Sequence, residues 1–396
     1  MAIPRMISVD DHVVEPGSLW QERLPAKYRE VGPRLERRMM SNPRRATEAG
    51  PAPEQPVDVW VYEDLQVPLT SGFAHSGQAE DDDGFEFVTY DQIHQGSYDR
   101  EARVEALENN HTEASFTFPT FPRFCGQTFL EAKDKDLAKL CVEAYNDWMI
   151  DEWCAGPAYG RLIPMTLIPL WDVELAAAEV RRTAAKGSHA FCFSEQPAHL
   201  GLPSIYSGYW NPLWQACEET ETVVNMHIGS SSKMPETSPD APLETLMTIN
   251  VENSLHAFVD WLMSGILPKY NIKIALSEGQ VGWIPFFLNR MDSLWEQNIW
   301  NRMRDWLPNP PSSYVPGRVY GCIFDDPVGL RNRDLIGMGQ IMIETDFPHA
   351  DSTYPNSRKI TEELVAGAGL SEHETWQLVR GNAIDCYQLG RWGITK

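Results

Sequence analysis

Six residues able to bind a metal stand at the ends of short apolar runs. Asp10 and His12 close the run 6–12, and Glu195 follows Phe-Cys-Phe-Ser. His227 ends Val-Val-Asn-Met-His, Glu278 follows Ile-Ala-Leu-Ser, and Asp346 follows Ile-Met-Ile-Glu-Thr. In a strand, residues i and i+2 share a face, so Asp10 and His12 point one way and Asp11 the other. Singly, a strand-end acid caps the next helix and a lone His is a bonded core residue. Four carboxylates converging at one depth are different, because they repel one another unless a cation compensates them. Zinc hydrolases favour His-rich sets, whereas two His with four carboxylates is the donor set of di-iron carboxylate proteins. The reading is two iron ions, with manganese or zinc as alternatives, held by Asp10, His12, Glu195, His227, Glu278 and Asp346. Glu195, Glu278 and Asp346 are the candidate catalytic groups.

Such a cluster needs elements that bring strand ends together. Strand-like runs occur at 6–12, 114–118, 161–168, 189–194, 223–227, 272–277, 319–324 and 341–345. Amphipathic helical patterns lie between them at 135–153, 173–186, 212–220, 243–262, 281–295 and 327–335, with a last one at 372–389 placed on the outside. This alternation predicts an α/β protein, a single (β/α)8 TIM barrel over residues 1–396, whose chemistry sits where the strands end. An open doubly wound sheet is disfavoured, because no Gly-rich phosphate loop follows any strand. Segment 19–96 interrupts the alternation and is too long for an ordinary loop; after the first strand of a barrel it would cover the mouth. Within it, 60–62 and 85–87 alternate like short strands, while the acidic run Asp81-Asp82-Asp83 does not. A second irregular stretch, 306–316, is a further candidate to line the mouth.

Composition narrows the function. The 396 residues carry 33 Lys+Arg against 56 Asp+Glu, a net charge of −23, which argues against nucleic acid or anionic membrane as partners. The 14 Trp, 15 Phe and 13 Tyr supply a large core. No apolar run reaches membrane-spanning length, and the opening residues lack the apolar stretch of a signal peptide. The seven Cys contain no CxxC pair and read as buried thiols. A cytoplasmic enzyme is the expectation, with a homodimer as the candidate assembly.

Other residues are candidates for supporting roles. Glu15, Glu344 and His349 lie close enough in sequence to orient ligands. His111 begins the second strand, and His75, His94 and His199 read as solvated loop residues. Phe121 and Phe124, beyond Phe116 and Phe118, are candidate walls of an apolar substrate pocket. Arg34, Arg37, Arg38, Arg44 and Arg45 concentrate positive charge. They are either a solvated basic helix or, through Arg37 and Arg38, a site for coenzyme A phosphates.

Four motifs, in order, make the chain recognisable: Val9-Asp10-Asp11-His12-Val13-Val14-Glu15-Pro16, Met226-His227-Ile228-Gly229, Ser277-Glu278-Gly279 with Gly282-Trp283-Ile284-Pro285, and Thr345-Asp346-Phe347-Pro348-His349. The chain resembles the amidohydrolase-related family, which includes non-oxidative decarboxylases. That resemblance implies a barrel with metal held by Asp10, His12, His227 and Asp346. The chain also departs from the pattern. Decarboxylase relatives carry an acid/base His where Glu278 stands, and Asp10 takes the place of the first His of HxH. Glu195 stands where binuclear relatives bridge two metals. A narrower resemblance, to non-haem di-iron monooxygenases built on this fold, implies O2 as co-substrate, an external electron donor and a hydrophobic acyl thioester as substrate. The alternative is a metal-dependent hydrolase or decarboxylase.

Overall fold

The computed structural model describes residues 3–47, 50–74, 84–300 and 302–395. Eight parallel strands form the centre: β1 (Met6–Val13), β5 (Thr112–Pro119), β6 (Leu162–Ile163), β7 (Ala190–Cys192), β8 (Val223–His227), β9 (Ile274–Ser277), β10 (Val319–Ile323) and β11 (Ile341–Ile343). The three between, β2 (Arg34–Ser41), β3 (Glu54–Tyr62) and β4 (Leu65–Pro68), belong to the insertion. Pairing runs β1-β5-β6 in one sheet and β7-β8-β9-β10-β11 in the other. Backbone bonds join the two sheets at both edges. Thr166 N–H donates to Ala190 O at 3.0 Å, and Asp346 N–H donates to Asp10 O at 2.9 Å. The strands therefore follow one another around a ring, as an amidohydrolase-type α/β fold requires. Their residues are buried on both faces, which explains the continuous apolar runs.

Each strand expected from sequence is present, most of them shorter; the run 161–168 keeps only Leu162–Ile163 in a strand. The helical pattern 243–262 divides into Leu243–Ile249 and Glu252–Met263. Among the described residues two helices of ten residues or more were missed, besides several of four or five residues. Arg100–Asn109 is started by the Asp99 side chain accepting from Ala102 N–H, and Ser357–Ala368 follows the last strand. The C-terminal pattern 372–389 does not simply pack outside. Tyr387 donates to Asn225 Oδ1 at 2.6 Å, and its ring lies 4.2 Å from that of Phe116, so this end reaches side chains of β8 and β5. Nor does 306–316 line the mouth. Trp306 donates to Met263 O, at the end of a helix that leads into the start of β9.

The insertion builds its own antiparallel sheet, β2-β3-β4. The basic segment is thus strand β2 followed by a single 3-10 turn, Pro43–Arg45, and not a continuous helix, and its arginines already have partners. Arg37 makes a two-pronged contact with Asp58, 2.9 Å for each bond, and also reaches Asp91. Arg38 holds Glu36 and Gln66, Arg34 holds Glu36, and Arg45 holds Glu86. Arg44 lies over the Phe85 ring. A phosphate would have to displace these partners. The insertion meets the loop after β11 where Ala350 N–H donates to Gly72 O, with Phe73 near the His349 ring. Of the expected short strands, 60–62 lies in β3, whereas 85–87 makes only a bridge from Phe87 to Thr70. His75 and Asp81-Asp82-Asp83 lie outside the described residues. Among the described residues no helix is long and apolar enough to cross a membrane.

Candidate metal centre

The strand ends deliver five of the six predicted ligands to one point. His12 Nε2 lies 3.2 Å from His227 Nε2, 3.2 Å from Asp346 Oδ1 and 3.6 Å from Asp10 Oδ1. His227 Nε2 lies 3.5 Å from Asp10 Oδ2 and 3.3 Å from Glu278 Oε2. Asp10, His12 and His227 form a compact group of possible ligands, as do His12, Asp346 and His349. Glu278 and Asp346 both sit in the left-handed region, at φ 60 and 57, a conformation non-glycine residues adopt at a cost and mostly at functional positions.

Three features show that this point suits a cation. The His227 Nδ1 lies 2.7 Å from Ile228 O, so that nitrogen carries the proton and Nε2 presents a bare lone pair. Both Asp10 oxygens are buried without a hydrogen-bond donor. Finally, nitrogen and oxygen ligands about 2.1 Å from a metal stand roughly 3.0–3.4 Å from one another at octahedral or tetrahedral angles. The separations found here are close to that.

The electrostatics agree. Burial, then the neighbouring Glu344, Asp346 and Glu278, pushes the Asp10 carboxyl well above the usual range. Burial and the neighbouring Asp346 do the same to Glu278. Burial lowers both imidazoles, His227 to about 4, so both are neutral and ready to donate lone pairs. Asp346 is the exception: despite burial, His349 and then His12 hold it below the usual range. His349, which stacks on His12 at 3.8 Å, is raised by Asp346 against the effect of burial.

The remaining predicted residues divide. Phe124 lies at the centre, stacked on His227 at 4.1 Å, and Phe118 meets His227 edge-on at 5.0 Å and lies tilted to His12 at 5.9 Å. Phe121 does not face the site; it packs among Trp20, Trp60 and Phe129, so its pocket role is replaced by a core role. Glu15 bridges β1 to the turn after β5, its two oxygens accepting from Thr120 and Phe121 N–H at 2.9 Å each. Burial raises it to about 7. Glu344 accepts from Glu278 N–H at 3.1 Å and from the Cys322 thiol, and groups with Asp10 and Cys322 below the first cluster. His111 bonds to Ile3 O at the strands' starting side. His94 accepts from Gly96 N–H and packs on Phe347, while His199 lines a surface cavity of about 780 Å³ between the loops after β7 and β8.

Glu195 stands apart from the ligand groups. Its Oε1 accepts from Gly229 N–H at 3.1 Å, Ser231 Oγ at 2.9 Å and Asn253 Nδ2 at 2.8 Å. It therefore braces the loop after His227, while Oε2 is buried without a partner. Glu195→Gln is expected to keep metal content unchanged, because the amide oxygen can serve the same donors. Glu195→Ala should leave those donors unmet and lower stability by about 1–3 kcal/mol. Metal analysis and thermal unfolding of both variants check this; metal lost from Glu195→Gln would make Oε2 a ligand.

Sequence reasoning missed Asp11, Arg103, Cys322 and Asp351. Asp351 groups with Glu278 and Asp346 and follows a recognised motif by two residues. Cys322 carried no signal, since a thiol in an apolar strand looks like any core residue.

The same fold is found in known proteins. An amidohydrolase from Mycobacterium avium subsp. paratuberculosis K-10 is 18% identical with a TM-score of 0.72, covering 97% of this chain and 99% of that one. The IDCase of Metarhizium anisopliae in apo form is 16% identical with a TM-score of 0.64, covering 98% of each chain. The 5-carboxyvanillate decarboxylase LigW of Sphingomonas paucimobilis is 17% identical with a TM-score of 0.55, covering 74% of this chain and 84% of that one. At such identities the likeness shows the fold. Among curated protein sequences no match is found. The amidohydrolase family model matches residues 93–389, three quarters of the sequence, and the chain belongs to that family.

Proposed function

We propose that this chain is a metal-dependent hydrolase or non-oxidative decarboxylase whose cation is held by Asp10, His12, His227 and Asp346. One observation carries the reading. The two donor-free oxygens of Asp10 lie 3.6 and 3.5 Å from the Nε2 atoms of two neutral imidazoles that are themselves 3.2 Å apart; a single Nε2–H serves at most one acceptor there, whereas a cation satisfies all four atoms. Members of this family typically bind metal ions, and the solved neighbours include an amidohydrolase and a decarboxylase. When bound, the cation supplies Lewis acidity toward a substrate oxygen or a water.

The chain's own residues do the rest. Glu278 ends β9 beside His227, and its side chain is 14% exposed, so it reaches both the cluster and solvent. It takes or returns a proton at Oε2, where decarboxylase relatives use a His. Asp346 pairs with His349 Nδ1 at 3.0 Å and orients that ring over His12. Phe118 and Phe124 keep the imidazole faces dry. Amides, lactones and aromatic carboxylates are the substrates to screen. Glu278→Gln is expected to retain metal and lose at least about 100-fold in rate, a general acid–base contribution; an unchanged rate would remove Glu278 from the chemistry.

A second reading is favoured by the carboxylates at the centre, Asp10, Glu278, Glu344, Asp346 and Asp351. Hard oxygen donors of that number suit iron, as in the non-haem di-iron monooxygenase of platensimycin and platencin biosynthesis that the sequence resembles. That enzyme class would need O2, an electron donor and a bulky acyl thioester. Metal analysis of anaerobically purified protein separates the readings. One divalent ion per chain with no absorption change on exposure to O2 supports the first. Two irons and a change on exposure support the second.

A further inference from the structure

The sequence places Asp11 on the face opposite Asp10 and His12, yet it is fully buried and heavily bonded. Its Oδ1 accepts from Thr345 Oγ1 at 2.6 Å, Ser8 Oγ at 3.0 Å and Phe347 N–H at 3.1 Å. Its Oδ2 accepts from Ser115 Oγ. These four donors come from three strands or their ends. Ser8 is in β1 and Ser115 in β5, while Thr345 and Phe347 flank the ligand Asp346 just past β11. The seam is tightened by Thr345 N–H donating to Ser8 Oγ at 2.9 Å and His12 N–H donating to Phe347 O at 2.8 Å.

A local irregularity in β1 makes this possible. Ser8 pairs with Ser115 and Asp11 with Thr117, so Val9 and Asp10 together stand opposite Phe116. One extra residue on one strand is a β-bulge, which re-aims side chains. In a regular strand residues 8 and 11 would face opposite sides; here they bond to each other.

Arg103 completes the arrangement. It is fully buried, its guanidinium 4.0 Å from Asp11 Oδ2 and 4.6 Å from the Phe347 ring centre. It donates to Gly96 O at 2.6 Å and to the carbonyl of His12 itself. One buried ion pair therefore grips the backbone of His12, the residue beside Asp10 and both neighbours of Asp346.

We propose that Asp11, with Arg103, is a positioning pair that sets the Asp10, His12 and Asp346 ligands at the spacing a cation needs. It touches neither cation nor substrate and acts through the β1–β5–β11 seam. A carboxylate suits this place, because Phe347 N–H on one oxygen and Arg103 beside the other can only donate; an amide with its oxygen toward Phe347 would turn its N–H bonds toward the guanidinium. The inference rests on the proposed metal site.

The test measures divalent-metal affinity by chelator competition and the visible spectrum of the cobalt(II)-loaded protein, for wild type, Asp11→Asn and Thr345→Val. Both are followed at a temperature where each protein is folded, with metal-free unfolding recorded alongside. Outer partners of ligands typically contribute 10–100-fold in metal affinity. Asp11→Asn is expected to weaken binding by about that factor and to shift the cobalt bands. Thr345→Val, which removes one bond and leaves no charge unpaired, should weaken binding less, by about 3–10-fold, and covers the case in which Asp11→Asn does not fold. Wild-type affinity and an unchanged cobalt spectrum in the folded variants, even with lowered melting temperatures, would make the pair merely structural and overturn the proposal alone. A wild-type protein that binds no divalent ion would overturn the metal site and this inference together.

Discussion

His227→Ala is expected to abolish cation binding, leaving less than about one-tenth of the wild-type metal content after purification. Nitrogen donors are scarce at this centre, where Asp10, Glu278 and Asp346 supply oxygens to two imidazoles, and His227 Nε2 lies within 3.5 Å of both Asp10 and Glu278. Losing an outer partner of a ligand costs 10–100-fold in affinity, and losing a ligand costs more. A loss of about 10³-fold, roughly 4 kcal/mol, is the expectation. Phe124 adds to it, since its ring stacks on the imidazole and would be free to fall into the vacated space. The same protein should stay folded, because His227 ends β8 and bonds within the sheet through its backbone. Metal analysis with circular dichroism reads both results. Wild-type metal content in the folded variant would place the cation elsewhere.

The second large effect is a pH dependence of opposite sign in the metal-free and loaded proteins. Burial raises the Glu15 carboxyl to about 7 and Glu195 to about 8, against an ordinary value of 4.5. In the folded chain these groups keep protons that the unfolded chain releases near pH 4.5. The stability they contribute is fully present below that value and is lost as pH rises through 7 to 8. For Glu15 a shift of roughly 2.5 units corresponds to at most about 3 kcal/mol. Asp346 works the other way at low pH, since it is held below its ordinary value, whereas the contribution of His349, held above its own, is lost as pH rises like that of Glu15. Metal-free protein should therefore melt highest near pH 5 and lower by several degrees at pH 8. Cation binding must displace the proton from Asp10, so affinity rises over the same range. Melting scans with and without metal from pH 5 to 8.5 should diverge. A metal-free melting temperature that is flat or rises toward pH 8 would contradict this.

Much of the architecture is legible in the sequence because parallel barrel strands are buried on both faces and so read as unbroken apolar runs. The polar residues that close those runs are legible for the same reason: at Asp10, His12, His227, Glu278 and Asp346 a charge interrupts an apolar pattern where a strand must end. Glu195 shows the limit of that signal. It ends its run just as Glu278 does, but the loop after β8 folds back and Asn253, from the next helix, takes its Oε1. Nothing local in the sequence distinguishes the two. Strand β2 was open to a helical reading because Arg37 and Arg38 find partners more than 20 residues away, at Asp58 and Gln66. The bulge in β1 has no sequence mark at all; alternation predicts Asp11 turned away, and only the register against β5 reveals that Ser8 meets it.

The most direct test of the cation site is the anomalous difference density of crystals grown with manganese(II) or cobalt(II). The predicted result is a peak in contact with Asp10, His12, His227 and Asp346, with Glu278 beside it and Glu195 Oε1 still bonded to Asn253. A peak held instead by Asp10, Cys322 and Glu344, or no peak among these strand ends at full metal saturation, would contradict it.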